Sequence, residues 1–293
     1  MSRPGRVVQA WANRGVARLD DGQLVPFHFP RRLIRPLPGD RIELNAELAL
    51  IEVAERRNEF GRGDERGRFR ASAANLDRAI VVIAPEPAPS PDLVHRYLAA
   101  ALIHGIEPVI VVNKCDRPMP DQPPFSELEH LESLGYRILR TRCRPEAQID
   151  ALQTITQTGT SLLAGQSGVG KTSLLNALVP DLDERTNALS HVTGKGTHTT
   201  TTATLYPLSE NAGIVDTPGV WEYGLWAMSA EILERGFPEF AGHTAGCRFR
   251  NCRHDSEPGC AVRAAAESGI IPASRHAAWL RLLGEQKRFA KRG

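Results

Sequence analysis

The sequence has no run of 18 or more apolar residues, so no segment could cross a bilayer as a helix. Residues 1–20 lack the apolar stretch of a secretory signal. Cysteine is scarce and odd in number, with residues at 115, 143, 247, 252 and 260, which argues against a disulfide framework. Together these absences lead to the expectation of a soluble, cytoplasmic protein with no membrane partner, and a monomer is expected. A large net charge is also missing, but the total of +2 conceals an uneven distribution. Residues 1–70 hold 14 basic against 10 acidic side chains, residues 71–235 hold 12 against 19, and residues 236–293 hold 10 against 5. Basic flanks around an acidic centre point to flanks that face a polyanion while the middle does other work.

What is present supports a substantial core: 293 residues at 41% hydrophobic content allow two or three domains. Residues 5–53 read as short strands separated by turn signals such as Asp20-Asp21-Gly22 and Pro38-Gly39-Asp40. That pattern suits a small barrel of the OB-fold type, a platform used for nucleic acid. The arginine-rich stretch 56–70 shows no periodicity and reads as a flexible basic linker. Beyond it strands and helices alternate. Residues 79–83, 108–112 and 161–164 are apolar runs typical of strands buried on both faces, and residues 92–105, 148–157 and 172–178 read as helices. Further strands are expected at 138–139, 204–208 and 213–215, giving a doubly wound α/β domain. Residues 236–293 hold a Cys/His cluster and then a helical stretch over 274–291. The expected division is 1–65, 66–235 and 236–293, with no internal repeat.

Two nucleotide signatures occur in reversed order. Gly165-Gln166-Ser167-Gly168-Val169-Gly170-Lys171-Thr172 matches G-x-x-x-x-G-K-[ST], a turn whose backbone N–H groups and following helix surround phosphates. Lys171 is placed to reach the β- and γ-phosphates, the Thr172 hydroxyl to bind Mg²⁺, and Ser173 to continue the loop. Asn113-Lys114-Cys115-Asp116 matches N-K-x-D about fifty residues earlier, behind an apolar strand. The Asp116 carboxylate can accept from guanine N1–H and its exocyclic amine, Lys114 can pack along the base, and Asn113 can brace the loops. Asp216-Thr217-Pro218-Gly219 follows another apolar strand; Asp216 can reach the metal, and the Gly219 N–H can sense the γ-phosphate. The Thr-rich segment 194–202 lies between phosphate loop and sensor, where a threonine hydroxyl completes a Mg²⁺ shell. Thr199 and Thr200 both fit that role. GTP or GDP with Mg²⁺ is the expected ligand.

Cys247, Cys252, His254 and Cys260 supply three thiolates and one imidazole, a complete tetrahedral set for one structural Zn²⁺. Arg248, Arg250 and Arg253 interleave with them, and Phe249 offers a stacking surface, a combination suited to RNA.

Taken in order, Ala74-Asn75-Leu76-Asp77, N-K-C-D, G-Q-S-G-V-G-K-T, H-T-T-T, D-T-P-G and the Cys/His module resemble the RsgA/YjeQ family of circularly permuted GTPases across nearly the whole chain. The resemblance implies an N-terminal OB-fold, a permuted GTPase domain and a C-terminal zinc domain. It also implies slow GTP hydrolysis stimulated by the small (30S) ribosomal subunit during late maturation, with 16S rRNA as a partner and other maturation factors nearby. His198 is implied to orient or deprotonate the attacking water, because Val220 and Trp221 stand where many GTPases carry a glutamine. Two departures stand out: Thr197 replaces an arginine before H-T-T-T, and Arg142-Cys143 replaces a Ser-Ala pair behind the guanine. Weaker nucleotide affinity is expected from the second. An alternative reading is a GTP-dependent RNA-binding checkpoint protein whose hydrolysis is incidental; a P-loop nucleotide kinase fits N-K-C-D and D-T-P-G poorly.

Overall fold

The computed structural model describes residues 2–30, 32–179, 181–182, 186, 203–217 and 224–290. Strands β1 (Arg3–Trp11), β2 (Arg14–Leu19), β3 (Leu24–His28), β4 (Arg41–Leu44) and β5 (Leu50–Val53) form an antiparallel sheet in the order β3-β2-β1-β4-β5. A parallel bridge between His28 and Ala49 joins the two outer strands, so the sheet closes as a five-stranded barrel and loses its open edges. Val7, Ala17, Leu19, Val25, Phe27, Ile42 and Leu44 fill it, following the period-2 alternation that β4 shows most plainly.

The expectation of a flexible linker over 56–70 is overturned. Strands β6 (Glu59–Gly63) and β7 (Phe69–Ala74) pair there as an antiparallel hairpin. The arginines do not repel the chain into disorder because carboxylates meet them. The Arg56 guanidinium donates to Asp40 at 2.8 Å and to Glu59 at 2.5 Å. Asp64 accepts from the backbone N–H groups of Arg66 and Arg68 and closes the turn. The hydrogen bond from the Arg68 backbone, together with those from the Arg68 and Arg70 side chains, holds the Asp64 carboxyl down to about 2. Phe60 supplies the buried apolar contact.

The central sheet runs β10-β9-β8-β11-β13-β12, built from β8 (Arg78–Ile83), β9 (Glu107–Val112), β10 (Arg137–Arg140), β11 (Gly159–Ala164), β12 (Thr204–Pro207) and β13 (Ala212–Asp216). All neighbours are parallel except β12 against β13. Helices α1 (Pro91–Ile103) and α2 (Leu128–Ser133) cover one face, where Val94, Leu98, Leu128 and Leu131 meet Ile110 and Val112. Helices α3 (Asp150–Thr156) and α4 (Lys171–Leu178) cover the other, where Leu152, Leu174 and Leu178 meet Ile80 and Val82. Both faces of β8 are therefore buried, which is why it reads as an unbroken apolar run. The chain enters the sheet at β8, runs outward to β10, and only then returns to β11.

Helices α5 (Ala230–Glu234), α6 (Ala241–Thr244), α7 (Ala261–Glu267) and α8 (Ala273–Ala290) complete the described chain. The last helix docks on α1: Arg96 donates to Glu285 at 2.7 Å and Arg281 to Asp92 at 2.9 Å. Arg275 of α8 is fully buried. It donates to Glu239 at 2.5 Å, to the Tyr136 hydroxyl at 3.0 Å and to the Gly236 carbonyl at 2.9 Å, with the Phe237 ring 4.2 Å away. Among the described residues no helix is long and apolar enough to cross a membrane.

The buried ion pair gives a stability prediction. Arg275→Ala strands the Glu239 carboxylate in the core and is expected to lower stability by about 3–5 kcal/mol. Arg275→Met with Glu239→Gln removes both charges and recovers most of the loss, read as apparent Tm. Equal loss in the single and double variants would show that the charge pair is not the cause.

Candidate nucleotide site and candidate metal centre

Register fixes where the loops meet. Ile83 lies opposite Val112, Ala164 opposite Val81, and Leu163 opposite Asp216, so β8, β9, β11 and β13 release their chains at one edge of the sheet. Ligands bind at that edge in open α/β sheets.

The loop after β11 depends on glycine. Gly165, Gly168 and Gly170 have φ of +138°, +83° and +97°. A Cβ on Gly165 would lie 2.4 Å from the Val82 carbonyl, and one on Gly170 would lie 2.3 Å from the Asn113 amide nitrogen. Gly170 is the cap residue of α4 and brings no side-chain cap, so the first N–H groups of that helix can serve an anion. Ser167, Thr172 and Ser173 are exposed around the mouth, while Val169 is buried in the core beneath. Gln166 turns inward and donates to the Ala88 carbonyl at 3.2 Å. Lys171 curls into the loop, donating to the carbonyls of Gly165 at 2.7 Å and Gln166 at 2.8 Å.

Asn113 is buried and ties this loop to β9. Its amide donates to the Val169 carbonyl at 2.9 Å, and its oxygen accepts from the Thr141 hydroxyl at 3.1 Å. Lys114, in the left-handed region, donates to the carbonyls of Glu86 at 2.8 Å and Gly168 at 2.7 Å. Asp116 is exposed at the head of the same turn, and Arg117 pairs with Glu86. Thr141 is a bracing residue that no motif marks; its only sequence signal is its place just past β10. The backbones of Arg142 and Gln148 exchange hydrogen bonds of 3.3 and 2.8 Å, pinning the loop that carries Cys143. Burial pushes the Cys143 thiol up.

Asp216 ends β13 close enough to Lys171 for their charges to interact. Burial raises the Asp216 carboxyl to about 6 against the pull of the Lys171 ammonium. Burial likewise lowers Lys171, with Asp216 opposing. A carboxylate kept so costly to ionise is well placed for a cation, and Thr172 and Asp216 could together hold Mg²⁺. His198, Thr199, Thr200 and Gly219 lie outside the described residues, as do Thr197, Val220 and Trp221.

The second site is the Cys/His cluster. One ligand atom each from Cys247, Cys252, His254 and Cys260 lies within 4.8 Å of the others. His254 Nδ1 is 3.7 Å from Cys247 Sγ and 3.4 Å from Cys260 Sγ. A tetrahedral zinc with usual bond lengths separates sulfur from nitrogen by about 3.5 Å, so the donor set fits that ion. The opposite ring nitrogen, Nε2, faces the Glu234 carboxylate at 3.5 Å, the kind of outer partner that orients a metal-bound imidazole. Burial lowers the His254 imidazole, toward the neutral form that a ligand needs. Burial and the crowding of neighbouring thiols push Cys252 up to about 12, which a divalent cation would reverse. The loop is held by α8: Trp279 donates to the Arg253 carbonyl at 2.8 Å, and His276 bonds the His254 carbonyl at 2.7 Å.

Comparison with known proteins follows this geometry. The family model described as RsgA GTPase matches residues 53–226. The chain belongs to this family. It is 41% identical over 288 residues to the small ribosomal subunit biogenesis GTPase RsgA of Bordetella pertussis, covering 96% of this chain and 95% of that protein. It is 38% identical over 287 residues to its namesake from Pseudomonas aeruginosa, covering 95% and 84%. The fold matches YjeQ from Thermotoga maritima with a TM-score of 0.75 at 29% identity, over 98% of this chain and 99% of that one. It matches YloQ, a circularly permuted GTPase, with a TM-score of 0.72 at 26% identity over 98% and 96%. The loop carrying N-K-C-D is laid down before the phosphate loop, the order of a circularly permuted GTPase.

The Asp216 environment predicts a pH dependence. Its folded pKa is raised from the ordinary 3.8 to about 6, so the folded chain holds a proton that the unfolded chain has released, and stability falls as pH rises between those values. If Asp216 holds the cation, binding must expel that proton. Mg²⁺-dependent GDP affinity should therefore rise to a plateau above about pH 6 and fall roughly tenfold per unit below it. Asp216→Asn should flatten the profile, measured by calorimetry across pH 5–8; a wild-type profile that is already flat would contradict the assignment.

Proposed function

We propose that this chain is a GTP hydrolase that binds the small (30S) ribosomal subunit, assists its late maturation, and turns over faster when bound there. The observation that supports the reading is the Asn113–Val169 hydrogen bond, which ties the turn carrying N-K-C-D to the glycine loop after β11. The names of the relatives supply the subunit as partner.

Asp116 selects guanine by accepting from its paired N–H donors, a pair that adenine lacks, and Lys114 flanks the base. Backbone N–H groups of the loop and the head of α4 hold the phosphates, with Lys171 moving from the loop carbonyls onto the β- and γ-oxygens. Thr172, Asp216 and either Thr199 or Thr200 would hold Mg²⁺, which would neutralise charge on the phosphates. Gly219 senses the γ-phosphate. His198 orients or deprotonates the attacking water, the place that Val220 cannot serve. A zinc ion held by Cys247, Cys252, His254 and Cys260 would be structural, since four ligands leave no open position. The barrel over 1–65 and the zinc module over 236–293 face 16S rRNA, and the GTPase unit over 66–235 times their grip.

The route from sensor to flanks is supported by backbone contacts just past the sensor. The Gly63 N–H donates to the Gly224 carbonyl at 2.9 Å and the Ala227 N–H to the Gly67 carbonyl at 2.7 Å. The Met228 N–H donates to Gln286 of α8 at 2.8 Å. Movement of the sensor is thus transmitted to the hairpin and to the C-terminal helix together.

Phosphate release with and without small subunits tests the proposal. Wild type should be slow alone and strongly stimulated. Lys171→Ala should lose nucleotide, while His198→Ala should keep GTP affinity and lose most of the stimulated turnover, about 10²-fold or more. Turnover indifferent to subunits would leave a GTP-dependent RNA-binding checkpoint protein instead.

A further inference from the structure

Tyr97 meets the glycine loop from a side that no sequence motif marks. It lies on α1, only 3% exposed, in one apolar cluster with Phe60 of β6 and Ala164 at the end of β11. Its ring runs nearly parallel to that of Phe60, at 8° with centroids 6.5 Å apart. The Gly165 N–H donates to its hydroxyl. Burial pushes the phenol up to about 12, against that hydrogen bond and the nearby Arg62 guanidinium of the hairpin. The hydroxyl is therefore a neutral, fixed acceptor at neutral pH.

The geometry points to Tyr97 as a positioning residue for the nucleotide: through it the β6–β7 hairpin holds the first residue of the glycine loop in the shape that receives Mg-GDP and Mg-GTP. The inference rests on the phosphate-binding role proposed above for that loop. Gly165 is confined on every side. A Cβ there would meet the Val82 carbonyl at 2.4 Å, and its own carbonyl accepts from Lys171 at 2.7 Å. Gly165 is buried, so its N–H is costly to leave without an acceptor. With the hydroxyl removed, the free loop relaxes until that N–H finds water, and nucleotide binding must undo the relaxation. The cost then appears as lost affinity, because a site no longer preorganised must be rebuilt by its ligand. The hairpin that backs Tyr97 also meets the chain beyond β13. Phe69 lies 4.6 Å from the Trp226 ring, and the Gly63 N–H donates to the Gly224 carbonyl at 2.9 Å. One hairpin thus touches both the segment past β13 and, by way of Phe60 and Tyr97, the loop after β11.

The test uses the full, zinc-loaded chain and Mg-GDP, with affinity read by calorimetry and folding by Tm. Tyr97→Phe keeps the ring and removes the hydroxyl, and it should weaken Mg-GDP about tenfold. Phe60→Leu removes the ring that backs Tyr97 and should weaken Mg-GDP several-fold while lowering Tm. In the double variant Phe60→Leu should lower Tm again but cost no further affinity, because its effect on the loop passes through the missing hydroxyl. A role in packing alone would not produce that split. Wild-type affinity in Tyr97→Phe overturns the inference, as does an equal affinity loss from Phe60→Leu with and without the Tyr97 hydroxyl. Lys171→Ala, run alongside, separates the two readings. If it loses Mg-GDP while Tyr97→Phe does not, the role of Tyr97 alone is refuted. If it binds as wild type does, the loop is not a phosphate site and the inference falls with that reading.

Discussion

One buried amide holds the machinery together. Asn113 donates to the carbonyl of Val169, joining the turn after β9 to the loop after β11 across 56 residues of chain. Neither partner can turn to solvent, since both residues are buried, so the bond is costly to leave unmade. Lys114 reaches Gly168 because Asn113 sets the turn, and Gly170 must lack a side chain because the Asn113 amide fills that space. The glycine loop is shaped by the turn after β9 as much as by its own glycines.

That constraint explains how the sheet tolerates its cyclic order. A crevice at the strand ends depends on which strands are neighbours and not on which is synthesised first. β8 and β11 pair side by side although 75 residues separate Ile83 from Gly159. What the permutation changes is where the chain goes next. Strand β13 now leads on to the C-terminal unit, and residues 224, 227 and 228 are stitched to the hairpin and to α8. The C-terminal unit is in turn locked to α1 and Tyr136 through Arg96, Arg281 and Arg275.

Much of this was legible in the residues. Apolar strands 79–83 and 108–112, the glycine loop and the Cys/His cluster each carry a local pattern with one physical cause, and the structure brings Asn113, Lys114, Gly165, Lys171 and Asp216 to one edge. The stretch 56–70 misled because its information is pairwise: Arg56 needs Asp40 and Glu59, and composition cannot report partners. Thr141 and Glu234 were invisible for a related reason. Each acts through another side chain, Asn113 and His254 respectively, and neither spacing nor hydropathy marks such a contact.

The central claim is that one guanine nucleotide spans from Asp116 to Lys171 across the Asn113 brace. Swapping the chemistry of the base end alone is its most direct test. Asp116→Asn replaces an acceptor with an amide that can donate to the 2-oxo group of xanthine. Calorimetry on that variant should show GDP affinity lost and XDP affinity gained. Unchanged GDP affinity would mean that Asp116 does not read the base and that the crevice does not work as described.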